Sequence, residues 1–157
     1  MKPYRDIAIL AAAQIALFCL LANLERDFFL VHLYESILYI AILVLLFYME
    51  ERWAYMIGML ASVVWLGLAY ETGILGRAVR QVSERSTADW TANLVALGAL
   101  ITAFVAVLMI VFCGRHWLKE YSGLGKTRRT FFVSLGVVAV YYGTLLLFFW
   151  AMVPNPS

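Results

Sequence analysis

Residues 28–49 read FFLVHLYESILYIAILVLLFYM, and the fold class turns on this stretch. Its later part, Ile40-Ala41-Ile42-Leu43-Val44-Leu45-Leu46-Phe47, is apolar on every face of a helix and on both faces of a strand. Roughly 20 such residues in a helix cross a hydrocarbon core of about 30 Å. Lipid offers no hydrogen bonds to a backbone, so only helices and closed barrels span it. A barrel strand would alternate polar and apolar residues, and this run does not alternate. The stretch is therefore a transmembrane helix, with His32 and Glu35 near its start.

Four further windows share its character: 7–24, 53–70, 92–113 and 131–153. Of the 157 residues 64% are hydrophobic and 14% charged, where soluble domains run at roughly 45–50% and 25%. That composition excludes a water-soluble globule and a disordered chain. The net charge of +2 is small and scattered, which argues against a nucleic-acid partner. The expected fold is all-α: one integral membrane domain over residues 1–157, built as a bundle of five transmembrane helices. The first window is not expected to be a cleaved signal, because Glu25-Arg26-Asp27 follows it without a small-residue cleavage site and the chain re-enters lipid at once.

The bias of basic residues sets the expected orientation. With the N-terminus cytoplasmic, Lys2, Arg5, Arg52, Arg115, Lys119, Lys126, Arg128 and Arg129 fall inside, and Arg26, Arg77, Arg80 and Arg85 fall outside. The C-terminus is then outside, and the cell (inner) membrane is the expected location. Trp53, Trp90, Trp117 and Trp150 sit at window ends, where indoles favour the membrane–water interface; Trp65 alone falls mid-span. The turns 25–27 and 50–52 are short, so the first three helices run up, down and up. Residues 77–90, with Leu75, Val79 and Val82 as an apolar face, are expected to lie as a short amphipathic segment on the outer surface. No internal repeat suggests a transporter.

Small residues let helices approach closely in lipid. They recur as Ala8, Ala12 and Ala16; as Ala54, Gly58 and Ser62; as Gly98, Thr102 and Ala106; and as Ala139 with Gly143. Cys19 and Cys113 lie apart in apolar windows and are expected to be buried hydrophobes without redox chemistry.

Polar groups inside lipid cost several kcal/mol when unpaired, so Gln14, Asn23, His32, Glu35 and Glu71 are the informative residues. At 1.5 Å per residue, His32 lies about 6 Å and Glu35 about 10 Å below the start of the second helix. Glu71 comes about 27 Å along the third helix, at the same level as Asn23. Tyr39 continues the face of His32 and Glu35. The expectation is a polar cluster of Asn23, His32, Glu35, Tyr39 and Glu71 toward the outer side. It can be a structural network, with Glu35 neutral or paired with an Arg. It can be a ligand site in which His32, Glu35 and Tyr39 hold a pigment, haem, metal or quinone. It can also be an ion or proton relay through Glu35 and Glu71 in an oligomer.

His116 lies at the opposite end from His32, so the two cannot clamp one haem. Arg115, His116, Lys126, Arg128 and Arg129 are expected to contact lipid headgroups or a partner. His32-x-x-Glu35 reverses the order of a di-iron motif and has no second copy. The segment 123–127 lacks the first glycine of a phosphate loop. No catalytic motif appears. The leading functional expectation is an accessory or scaffolding subunit of a larger, energy-transducing membrane assembly, with membrane lipids and other membrane subunits as partners.

Overall fold

In a computed structural model, described here for residues 4–83, 90–121 and 126–149, the chain is all-helical. Five helices are long and apolar enough to cross a membrane: α1 (Arg5–Leu24), α2 (Phe29–Tyr48), α3 (Glu51–Glu71), α5 (Trp90–Tyr121) and α6 (Lys126–Phe149). A short helix, α4 (Ile74–Ser83), joins α3 to the segment before α5. Multi-pass membrane residence is the reading that these lengths and compositions support.

The hydropathy windows and the helices differ at their ends. α5 continues past 113 to Tyr121, and α6 begins at Lys126 rather than 131. Hydropathy marks only the apolar part of a helix, whereas the i→i−4 ladder runs on where water meets it. Trp150 and the 150–153 part of the last window lie outside the described residues. So do residues 84–89 of the expected surface segment and residues 122–125.

The links are as tight as their lengths require. Arg26–Phe28 form a single 3-10 turn that leads straight into α2. α3 ends at Thr72, whose N–H reaches the Leu68 carbonyl, and Gly73 follows at φ +69°. That left-handed conformation costs an L-residue with a side chain but not glycine, so the chain can turn there into α4. α4 presents Ala78 and Leu75 to the bundle, while Val79 and Val82 point outward. The apolar face expected from Leu75, Val79 and Val82 is therefore split. Ala78 is the residue that fits the narrow approach to α5.

α3 is the central helix. Of its spanning window 56% is buried, against 22–39% for the others. It packs on α2, α5 and α6, while α1 packs on α2 and α5. Two of the small-residue stripes account for this arrangement. Ala54, Gly58 and Ser62 of α3 and Gly98, Thr102 and Ala106 of α5 are all buried. A Cβ at Gly98 would come within 2.9 Å of Leu21 Cδ2 on α1. The stripes on α1 and α6 are not used in this way. Ala12, Ala16 and Ala139 are exposed, and nothing approaches a Cβ built at Gly143 within 4 Å. α1 instead turns Ile7, Ala11, Gln14, Phe18 and Leu21 inward.

Two expectations for single residues are corrected. Cys19 is exposed on the outside of the bundle, not buried, while Cys113 is buried. Trp117 sits where a belt indole would, yet it is only 7% exposed and stacks toward Tyr121 at 5.4 Å. α5 runs on beyond its apolar window, so Trp117 meets α3 before it meets an interface. Trp90 is 75% exposed.

Candidate functional site at the His32 end of the bundle

The N-terminal turn of α2 places His32 on the same side as Glu35, one turn further along. His32 Nδ1 lies 3.2 Å from Glu35 Oε2, and His32 Nε2 lies 3.0 Å from Glu25 Oε2. Glu25 caps the end of α1 and precedes His32 by seven residues, two helical turns on a chain that curls directly into α2. From α3, Trp65 donates its indole N–H to Glu35 Oε1 at 3.0 Å. Both oxygens of Glu35 are thus engaged.

The proton count of this group follows from its geometry. A neutral imidazole has one donor and one bare nitrogen. Here each nitrogen faces a carboxyl oxygen. All contacts are satisfied only when Glu25, His32 and Glu35 together hold one proton more than a neutral ring with two carboxylates.

An aromatic wall holds the triad from behind. Phe18 of α1 stacks on His32 at 6.3 Å, meets Trp65 edge-on at 6.0 Å and touches Tyr39 at 5.8 Å. Tyr39, fully buried, has its hydroxyl 3.5 Å from Gln14 Nε2, which also reaches the Thr102 carbonyl at 3.4 Å. Trp65→Phe keeps the aromatic contact with Phe18 and removes the donor to Glu35. A hydrogen bond to a charged group contributes about 2 kcal/mol, so that variant should lose this much stability in reversible detergent unfolding. Trp65→Leu should lose more than Trp65→Phe, because it also removes the edge contact.

The triad forms part of the wall of a cavity of about 830 Å³. Its sides are apolar, with Leu21, Leu68, Val95 and Leu145 among them, and its rim carries Arg26, Asp27, Arg77 and Gln81. Predominantly apolar clefts of roughly 300–1,000 Å³ with a few fixed polar groups are the usual form of small-molecule sites.

Of the five residues expected in the cluster, His32 and Glu35 are joined directly, and Tyr39 lies one turn deeper behind Phe18. Asn23 and Glu71 are not brought in. Asn23 Nδ2 turns back to the Cys19 carbonyl at 2.8 Å, and Glu71 is exposed. Both are at the expected level but on the wrong side. At about 100° per residue, Asn23 lies roughly 140° around α1 from Phe18, and Glu71 roughly 120° around α3 from Trp65. Leu68, Ala69 and Thr72 occupy the inward face of α3 in place of Glu71. Depth alone missed Glu25, Phe18 and Trp65. Trp65 did carry a signal, since a mid-span indole needs an internal partner for its N–H.

At the opposite end His116 is only partly exposed. It packs against Tyr55 at 5.6 Å and faces Glu120 at 3.6 Å, so part of its surface serves contacts within the chain. Arg115, Arg128 and Arg129 are exposed, as a lipid or partner contact requires. The side chain of Lys126 lies outside the described residues.

Coordination of a haem, chlorophyll or metal by His32 requires a bare ring nitrogen. Neither nitrogen is bare, and no group of three or more His, Cys, Asp or Glu among the described residues is arranged to hold a metal ion. No family of known proteins, no curated protein and no solved structure matches this chain.

Proposed function

We propose that this chain is a multi-pass membrane protein that holds an amphiphilic small molecule of the quinone class in the cavity at its His32 end, with that end on the non-cytoplasmic side. The supporting observation is the combination of an apolar cavity of about 830 Å³ with guanidinium donors from Arg26 and Arg77 at its rim and a fixed Glu25–His32–Glu35 triad in its wall. A quinone has two carbonyl acceptors and no donor, and the rim supplies donors. Its apolar tail suits the Leu and Val sides of the cavity, and it would reach the cavity from lipid. In this reading the triad fixes the wall and supplies polarity, while Arg77 meets the head.

Organic extraction of detergent-purified protein should yield a quinone by mass spectrometry. A short-chain quinone should bind saturably by quenching of tryptophan fluorescence, and Arg77→Leu should weaken it about tenfold, the equivalent of one charge-assisted hydrogen bond. An empty extract together with no saturable quenching refutes the assignment.

A second reading is an accessory subunit of a larger membrane assembly. It is favoured by the exposed small residues Ala12 and Ala16 of α1 and Ala139 of α6, which lie on the outside of the bundle among the described residues. Mild-detergent purification from native membranes should then bring down another membrane protein. A monodisperse monomer counts against this role and leaves the ligand proposal standing.

A further inference from the structure

At the end of the bundle away from the triad, a second space opens where α5 and α6 both pack on α3. It is a fissure of about 530 Å³. Met56 and Met59 of α3 line it, with Trp117 and Leu118 of α5 and Phe131 and Phe132 of α6. Gly114 completes the α5 side, and a Cβ built there would stand 3.9 Å from Met59 Sδ, an ordinary contact. Methionine is unbranched and polarisable, so it adapts to an irregular apolar guest. Leu118 and Phe132 are 66% and 61% exposed, so the walls run out onto the face of the bundle that meets lipid. A hydrocarbon chain can pass from a bilayer into the fissure without crossing water.

One charged side chain, Arg128, also lines this space. The residue before it fixes its place: Thr127 donates its hydroxyl to the Tyr121 carbonyl at 3.1 Å and so ties the first turn of α6 to the last residue of α5. Arg128 is exposed and pairs with no carboxylate among the described residues. Glu120, near it in sequence, faces His116 instead. Arg115 and Arg129 are exposed at the same end. The fissure therefore joins a hydrocarbon-lined interior to a guanidinium without a partner. That combination suits an amphiphile with a chain to bury and an anionic oxygen group to pair, which a quinone lacks.

We propose that this fissure binds an anionic phospholipid, with one acyl chain between α5 and α6 against Met56 and Met59 and the phosphate on Arg128. The two parts of the site do different work. Lipid tails are as apolar as the side chains they replace, so the chain gains close contacts but does not distinguish one headgroup from another. Discrimination comes from charge. A guanidinium presents parallel N–H donors that match phosphate oxygens. The excess of arginine at this end favours a lipid with net negative charge over one whose headgroup also carries a cation. The assignment rests on the multi-pass membrane reading and not on the quinone, whose cavity lies at the other end.

The experiment reconstitutes the full chain into phosphatidylcholine vesicles doped with phosphatidylglycerol brominated in its chains. Bromine quenches an indole that the chain touches, and the part of the quenching lost in Trp117→Phe belongs to the fissure. That part should saturate at about a tenfold lower lipid fraction than with phosphatidylcholine brominated in the same way, the equivalent of one charge-assisted hydrogen bond. Arg128→Gln, at an exposed position that leaves the fold intact, should bring the two lipids to the same fraction. Gly114→Leu fills the fissure from the α5 side and should abolish the saturating part. Equal fractions for the two lipids in the parent chain overturn the proposal. So does a preference for phosphatidylglycerol that survives Arg128→Gln, because the headgroup is then held elsewhere. Arg77→Leu, which tests the quinone site, should leave the Trp117 signal unchanged, so the two sites fail separately. Flotation of the parent chain with the vesicles tests membrane residence by itself, and a chain that does not float refutes that reading and this site together.

Discussion

Replacement of His32 by Ala should lower the unfolding free energy by about 3 kcal/mol. Removing one partner of a buried ion pair costs roughly 3–5 kcal/mol, because the other charge stays behind unpaired. The low end applies because His32 and Glu35 side chains keep 14% and 11% exposure, and Glu25 keeps 33%. The loss has two parts. Glu35 keeps the Trp65 indole as a donor on one oxygen and loses its partner on the other. Phe18 loses the ring that stacks on it at 6.3 Å. The carboxyl part can be isolated. If stranded charge dominates, His32→Ala with Glu35→Gln should recover about half of the loss, since an amide is cheaper to leave unpaired than a carboxylate. Equilibrium unfolding in mixed micelles measures both variants. A His32→Ala protein as stable as the parent would mean that the triad contributes nothing to the fold.

The other large effect is expected at Gly58→Leu, by about 3 kcal/mol. At Gly58 of α3 side chains from α2 and α5 close in, and even a Cβ would stand 3.1 Å from Cys113 Sγ. Three more carbons have no room among Ile42, Met109 and Cys113, all fully buried. Overpacking a filled core costs roughly 1–3 kcal/mol, and the upper end applies because three helices must part together. Gly58→Ala should be nearly neutral. The soft Cys113 and Met109 side chains need to yield only a few tenths of an ångström, and a helix-interior alanine gains about 1 kcal/mol over glycine. Gly67→Leu is the control, because nothing lies within 4 Å of its Cβ position; it should leave stability unchanged or raise it slightly. The same unfolding assay ranks the three. Equal losses at Gly58 and Gly67 would show that α3 is not packed at Gly58.

Level in the bundle was legible in the sequence, and rotation was not. His32, Glu35 and Tyr39 share a helical face by spacing alone, whatever surrounds α2, and they do line up in the structure. Asn23 and Glu71 came from depth without direction, and both face away. In water, one side of a helix is polar and one apolar, and the contrast reveals which side is inward. A helix such as α2 in lipid is apolar all round, because the bilayer and the protein core reward the same side chains. Small-residue stripes carry a direction only when a partner accepts them. Those of α3 and α5 are buried against larger side chains of other helices, Gly58 on Cys113 and Gly98 on Leu21, whereas Ala12, Ala16 and Ala139 of α1 and α6 stay exposed.

The sequence by itself determined the class of solvent this chain suits, the five long apolar helices, their tight links, and the pairing of His32 with Glu35, because length, hydropathy and i,i+3 spacing act along the chain. Only the tertiary structure decided that Glu25 and Trp65 complete the triad's hydrogen bonds, that Glu71 stays outside, and that a cavity lies beside the triad. Those outcomes depend on how each rod is turned about its own axis. That angle is set by packing against neighbours distant in sequence.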